Sequence, residues 1–183
     1  MDIRAHLHQG TSRRTAEAVA DHVGADPSRF KELMRCMLDD DRRTGQLASH
    51  AATIVCDRYP DLITPYVARL LGTLESPVHE AVQRNSIRML QTCPLPKHLH
   101  GRIIEAMFGR IADPGASIAQ RAFAITAAMR LVQLYPELKQ EMALLLEDTL
   151  RVDPGPAIRS RAGKALKVLR KPFSGMGPER STT

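Results

Sequence analysis

Two stretches of this chain are near copies of each other, and they restrict what it can fold into. Tyr59-Pro60-Asp61-Leu62 is matched by Tyr135-Pro136-Glu137-Leu138. Fourteen residues after each proline comes the Leu of a Thr-Leu pair, Thr73-Leu74 and Thr149-Leu150. A third copy starts at Pro96 and reaches Arg110 at the same offset, with Ile111 next; the prolines lie 36 and 40 residues apart. Between these segments a second pattern keeps step. Leu47, Val82, Ile118 and Ile158 are spaced 35, 36 and 40, and each is followed after four residues by Ala51, Ser86, Ala122 or Ala162, then by Val55, Leu90, Thr126 or Leu166. Two patterns that lengthen together imply one repeated unit of two helices. The extra four residues amount to about one helical turn, placed in the helix Ile118–Leu134.

The helix signals agree with this. Thr11 or Ser12 caps a first helix through Ala16, Val19 and Ala20 to Val23, with Gly24 just past its end. Asp26-Pro27 opens the next, with Phe30, Leu33, Met34, Met37 and Leu38 as its apolar stripe. Part of the acidic run Asp39–Asp41 starts the helix after it, since negative charge is disfavoured at a helix C-terminus. The predicted pairs are 27–40 with 42–58, 60–74 with 77–92, 96–112 with 115–134, and 136–151 with 155–170. The helix ending at Val23 is the N-terminal cap, and residues 1–10 read as weakly ordered or a short helix. Apolar residues make up 43% of the chain but aromatics only 4%, with no Trp, so the core is built from Leu, Ile, Val, Met and Ala. That mix favours helix over sheet.

The stretch Asp153–Leu169, DPGPAIRSRAGKALKVL, carries the most specific likeness. Its Asp153, Ile158, Arg159, Ala162 and Leu166 resemble the second helix of a HEAT repeat, and the resemblance extends over roughly Pro27–Leu169. It implies an all-α fold, a short right-handed α-solenoid of about four HEAT-like pairs behind an N-terminal capping helix. Residues 1–171 form a single domain in this reading, with 172–183 a flexible tail rich in Pro, Gly, Ser and Thr. The family's Asp and Arg occur together only in the last repeat; the Arg place is Ala48, Gln83 and Ala119 in the others.

The net charge is +6, from 26 basic and 20 acidic residues. Residues 151–183 hold eight basic residues against two acidic ones, which leaves 18 of each in the first 150. The Met1–Gly10 segment lacks the apolar core of a signal peptide, and no apolar stretch approaches the ~20 residues that span a bilayer. Cys36, Cys56 and Cys93 form no CxxC pair and read as reduced thiols. A cytoplasmic location with no membrane partner is expected.

No catalytic constellation, cofactor motif or metal-ligand spacing emerges. His6 and His8, like His98 and His100, are two apart and point to different sides of a helix. GxSxG, P-loop and GxGxxG sequences are absent. The resemblance extends in shape to HEAT-like alkylpurine DNA glycosylases, which rely on Trp and a carboxylate in a basic groove; this chain has no Trp, and Tyr59, Tyr66 and Tyr135 stand at helix starts. In HEAT-type proteins the second helices line the concave, binding side. Stepping on from the aliphatic anchors places His50, Arg84, Arg88, Arg121, Arg161 and Lys164 on that side as the expected binding surface. The expected function is therefore a non-catalytic interaction or scaffold module for a protein partner. The alternative is sequence-nonspecific phosphate binding to nucleic acid. The last helix, carrying Arg159, Arg161, Lys164, Lys167 and Arg170, also has the polar outer face that closes a solenoid.

Overall fold

The computed structural model describes residues 1–38, 41–152 and 155–171; Asp39, Asp40, Asp153, Pro154 and the predicted tail 172–183 lie outside the described residues. Among the described residues there is helix and no strand. The helices are α1 (Ile3–Leu7), α2 (Arg13–Val23), α3 (Pro27–Leu38), α4 (Arg42–Arg58) and α5 (Val67–Gly72), then α6 (Glu80–Met89), α7 (His100–Ala112), α8 (Ile118–Leu134), α9 (Lys139–Val152) and α10 (Pro156–Leu169). They stack as a solenoid in two layers. The second helices α2, α4, α6, α8 and α10 each pack on the next, and the pairs α3/α4, α5/α6, α7/α8 and α9/α10 join the layers. One apolar cluster runs through the stack from Ile3 to Leu166.

The local signals operate as expected at the N-terminal half. Ser12 accepts the Thr15 N–H and caps α2, and Gly24 ends it at a φ of 54°, a conformation that favours glycine. Asp26 accepts the Ser28 and Arg29 N–H groups at the start of α3. Asp41 caps α4 through Arg43 and Thr44. The Thr44 backbone N–H and hydroxyl, helped by the Arg43 N–H and the Arg4 charge, hold the Asp41 carboxyl at about 2. The first residues are more than a frayed lead. Ile3 and Leu7 on α1 are fully buried, and α1 packs on α2, α3 and α4. The N-terminal cap is thus a reduced helix pair.

The proline-led segments do not start as α-helix. Pro60–Tyr66, Lys97–Leu99 and Pro136–Leu138 are 3₁₀ turns that feed α5, α7 and α9. Proline lacks the N–H an α-helix needs, and Pro65 inside the first of these turns delays the α-helix until Val67. The helix expected over 60–74 is therefore only six residues of α-helix behind a seven-residue turn. The tyrosines are structural. Tyr66 meets Phe30 edge-on, and Tyr135 donates or accepts a hydrogen bond at His100 Nδ1, 2.9 Å away.

Burial corrects the register of the second helices. Val82 and Ile158 are buried anchors, but Ile118 is 50% exposed and Leu47 only half-buried. The buried residues align instead on Gly45, Val82, Arg121 and Ile158, spaced 37, 39 and 37. Four residues on stand Ser49, Ser86, Ile125 and Ala162, all buried. At the anchor position of α4 the absence of a side chain matters: a Cβ on Gly45 would lie 3.0 Å from the Met37 carbonyl oxygen and 3.4 Å from Val82 Cγ2. At the same position of α8, Arg121 is 4% exposed and donates from Nε to the Ile111 carbonyl at 3.0 Å. In both repeats the anchor meets a carbonyl in the last turn of the preceding first-layer helix.

Other arginines act likewise across repeats. Arg110 donates to the Leu74 carbonyl beyond α5, and Arg130 donates to the Leu90 and Cys93 carbonyls beyond α6, at 2.7 and 2.8 Å. Helix C-termini leave carbonyls without intrahelical partners, and these cations satisfy them. Replacing Arg130 by Met should destabilise the fold by about 2 kcal/mol, because charged donors to buried carbonyls are worth ~1.5–3 kcal/mol. Gly45→Val should cost about 1–3 kcal/mol through overpacking. Urea unfolding followed by circular dichroism measures both, and an unchanged midpoint for either would contradict the packing described.

Candidate functional site

The second-helix layer carries a groove of about 580 Å³ between α2, α4 and α6. One wall is the α1–α2 loop and the first turn of α2, with Gly10, Thr11, Ser12 and Thr15. The middle is α4, where Arg43, Gln46, Leu47 and His50 fall three or four apart and so share one helix face. The opposite wall is α6, with Ala81, Arg84, Asn85 and Arg88. Phe123 of α8 closes the far end. Leu47, Arg84 and Phe123 each stand two residues past the anchor of their own helix, so successive repeats present the same position to this groove.

Its electrostatics are one-sided. Among the fifteen described residues that line it are three arginines and a histidine, and no Asp or Glu. Arg84 makes no hydrogen bond or ion pair with another described residue, and the Arg43 guanidinium meets only the neutral Gln46 amide, at 2.8 Å. Arg88 is partly neutralised: it pairs with Asp57 at 2.6 Å and donates to Thr53 at 3.2 Å. Asn85 is 6% exposed and is held by a bond to Ser49 at 2.9 Å. Half-buried His50 is held below the usual histidine range, first by burial, then by the positive charges of Arg88, Arg13 and Arg84, with Glu17 opposing. A second depression of about 450 Å³ on the first-helix layer differs in holding an acid, Glu32, among Lys31, Arg35 and Arg69.

The six residues expected from sequence separate into four groups. His50, Arg84 and Arg88 come together in the groove. Arg121 does not point away from the core: the corrected register puts it at the anchor, where it is buried against Ile111. Arg161 is half-buried and turned toward the preceding repeat. It donates to Thr126 at 2.6 Å and Gln91 at 3.2 Å and lies 5.2 Å above the Phe123 ring, so it borders the groove through that ring. Lys164 is exposed on α10 and outside the groove. The sequence reading missed Arg43 and the Gly10–Thr15 wall. Arg43, Leu47 and His50 at i, i+4 and i+7 were a usable signal for the first; the second depends on α1 folding back, which no short-range pattern marks.

Other candidates are absorbed by packing. His100 bonds the Leu95 carbonyl and the Tyr135 hydroxyl and is not a free surface histidine. Cys36, Cys56 and Cys93 are buried, and burial pushes the thiols of Cys56 up to about 11 and Cys93 up to about 12. Among the described residues no helix is long and apolar enough to cross a membrane.

The His50 imidazole should titrate below 6.5 in an NMR pH series, and Arg84→Gln should move it upward by removing a nearby positive charge. The linkage has a definite sign. The unfolded chain binds this proton more readily, so His50's contribution to stability is complete above about 6.5 and declines as pH falls toward the lower folded value. A titration at or above 6.5 would contradict the site's electrostatics.

A family model described as HEAT repeat domain matches residues 3–169. Neither a curated protein nor a solved structure matches the chain.

Proposed function

The chain belongs to the HEAT repeat domain family, and on that premise we propose that it is a non-catalytic interaction module that binds an acidic segment of a protein partner on its second-helix layer. HEAT repeats generally mediate protein–protein interaction or scaffolding, and the family is typically non-catalytic. The observation that carries the finer reading is the groove between α2, α4 and α6, whose described lining holds Arg43, Arg84 and Arg88 and no acid. The body of the chain is nearly neutral, so this local excess of positive charge attracts a negative segment without making the whole surface sticky. Packed second helices give a pre-formed surface, which lowers the ordering cost of binding.

A continuous strip of phosphate contacts along the layer has less support. Of the basic residues expected to form it, Arg121 is consumed inside the fold, Arg161 is engaged with Thr126 and Gln91, and Arg88 is shared with Asp57. Lys164 lies at the far helix, away from the groove.

Capture from native lysate with the wild-type chain and with Arg43→Glu/Arg84→Glu tests the reading. A stoichiometric protein that survives nuclease treatment and is lost with the double variant is the expected outcome. Retention of that protein by the double variant would refute the groove as its site. Duplex DNA and RNA titrated by anisotropy at low salt provide the contrast: tight binding that weakens steeply with salt would favour nucleic acid instead.

A further inference from the structure

We propose that the groove between α2, α4 and α6 is a phosphate-monoester pocket, and that its occupant is a phosphorylated serine or threonine side chain of the partner. The inference rests on the protein-partner reading and adds the chemical class of the anchor. Three observations support it. First, the charge matches. Arg43 and Arg84 are two guanidiniums without a carboxylate partner among the described residues, on the two helices that face across the groove. A phosphate monoester carries a charge of about −1.5 to −2 near neutral pH, while a carboxylate would leave one cation unmatched.

Second, the donors outnumber what a carboxylate takes. Each guanidinium presents five N–H groups in a planar fork, and Arg88, which also lines the groove, spends only part of its set on Asp57 and Thr53. Thr11 and Thr15 add hydroxyls on the opposite wall. A carboxylate has two oxygens, but a monoester has three terminal ones, each able to accept more than one bond. Third, the cavity is too roomy for a bare anion. Its volume, about 580 Å³, lies within the ~300–1,000 Å³ of ordinary ligand pockets. Half-buried Leu47 and Phe123 give it apolar surface that a free inorganic ion cannot use. The phosphate therefore arrives on a carbon body, and within a protein partner that body is a phosphorylated side chain with its flanking backbone.

Isotope-labelled protein titrated with acetyl-phosphoserine-methylamide reads this directly in amide NMR spectra. The comparators are the unphosphorylated serine compound, the glutamate compound and inorganic phosphate. Saturable shifts at Thr11–Ala16 and around His50 are expected, with an affinity at least about tenfold above every comparator. Arg84→Gln should lower that affinity by about tenfold or more while its spectrum stays dispersed, and Lys164→Gln should leave it unchanged. Should Arg84→Gln fail to fold, Arg43→Gln reads the same effect. Equal binding of the glutamate compound would overturn the proposal in favour of a carboxylate pocket. Equal binding of inorganic phosphate would overturn it in favour of a free small anion, and absence of any saturable shift would overturn it outright. A partner captured in an Arg84-dependent way by a protein indifferent to phosphoserine would sink this inference and leave the interaction reading standing.

Discussion

Every helix that ends inside a stack leaves carbonyl oxygens that must find a donor, and this solenoid has such ends in each repeat. Short helices make the demand acute, because α5 and α6 are only six and ten residues long. The chain meets it with arginine. Arg110 and Arg130 reach across a repeat boundary to carbonyls just past the end of a neighbouring helix, and Arg121 reaches within its own repeat to the Ile111 carbonyl in the last turn of α7. Guanidinium suits the task because its fork of N–H groups bonds two carbonyls at once, as Arg130 does with Leu90 and Cys93. These contacts join repeats in sequence and add direction to an interface otherwise made by Ala, Ser and small aliphatics. The exposed pairs Arg58–Asp21 and Arg170–Glu147 also cross between helices, but exposed pairs contribute little stability.

That demand decides which cations remain for binding. A basic residue whose guanidinium is committed to helix-end carbonyls is part of the frame. Arg121 shows the consequence: it has the residue type of a binding site and the burial of a core position. The charge left over is local. Among the described residues Arg84 and Arg43 stand without acidic partners on facing helices, Arg88 is half-committed, and burial beside them keeps His50 toward its neutral form. The groove is positive because Arg43 and Arg84 are not spent on the frame, and because no described residue of its lining is an acid.

The helix-pair architecture was legible because proline and small residues mark it at fixed spacing. The span of α8 was read correctly, and the phase was right wherever the anchor is aliphatic, at Val82 and Ile158. It slipped by two residues at Leu47 and by three at Ile118, for one physical reason. The true anchors there are Gly45 and Arg121, one chosen for absence of bulk and one for donor capacity, and hydrophobic periodicity registers neither. The site inherited that slip. Stepping three residues from a correct anchor leads to buried Ala48 and Ala124 and to Asn85 and Arg161, which bond back to Ser49 and Thr126 of the preceding repeat, so Arg161 was expected on the binding surface and is found against Thr126. His50, Arg84 and Arg88 converge in one groove, but Arg84 and Arg88 were located from Val82, the correctly placed anchor.

The α1–α2 segment adds a constraint that runs the other way, from fold to site. A capping helix alone would shield the end of the stack and leave α4 open beside it. With Ile3 and Leu7 buried and His8 bonded to Thr44 at 2.8 Å, the chain is pinned back over the start of α4. The loop that follows, Gly10 to Ser12, is thereby set against the face that carries Arg43 and His50. The same residues that terminate the solenoid thus wall its groove, which ties recognition to the integrity of the N-terminal end. Loosening α1, by removing either the Leu7 side chain or the His8–Thr44 bond, would open that wall while leaving the arginines of α4 and α6 in place.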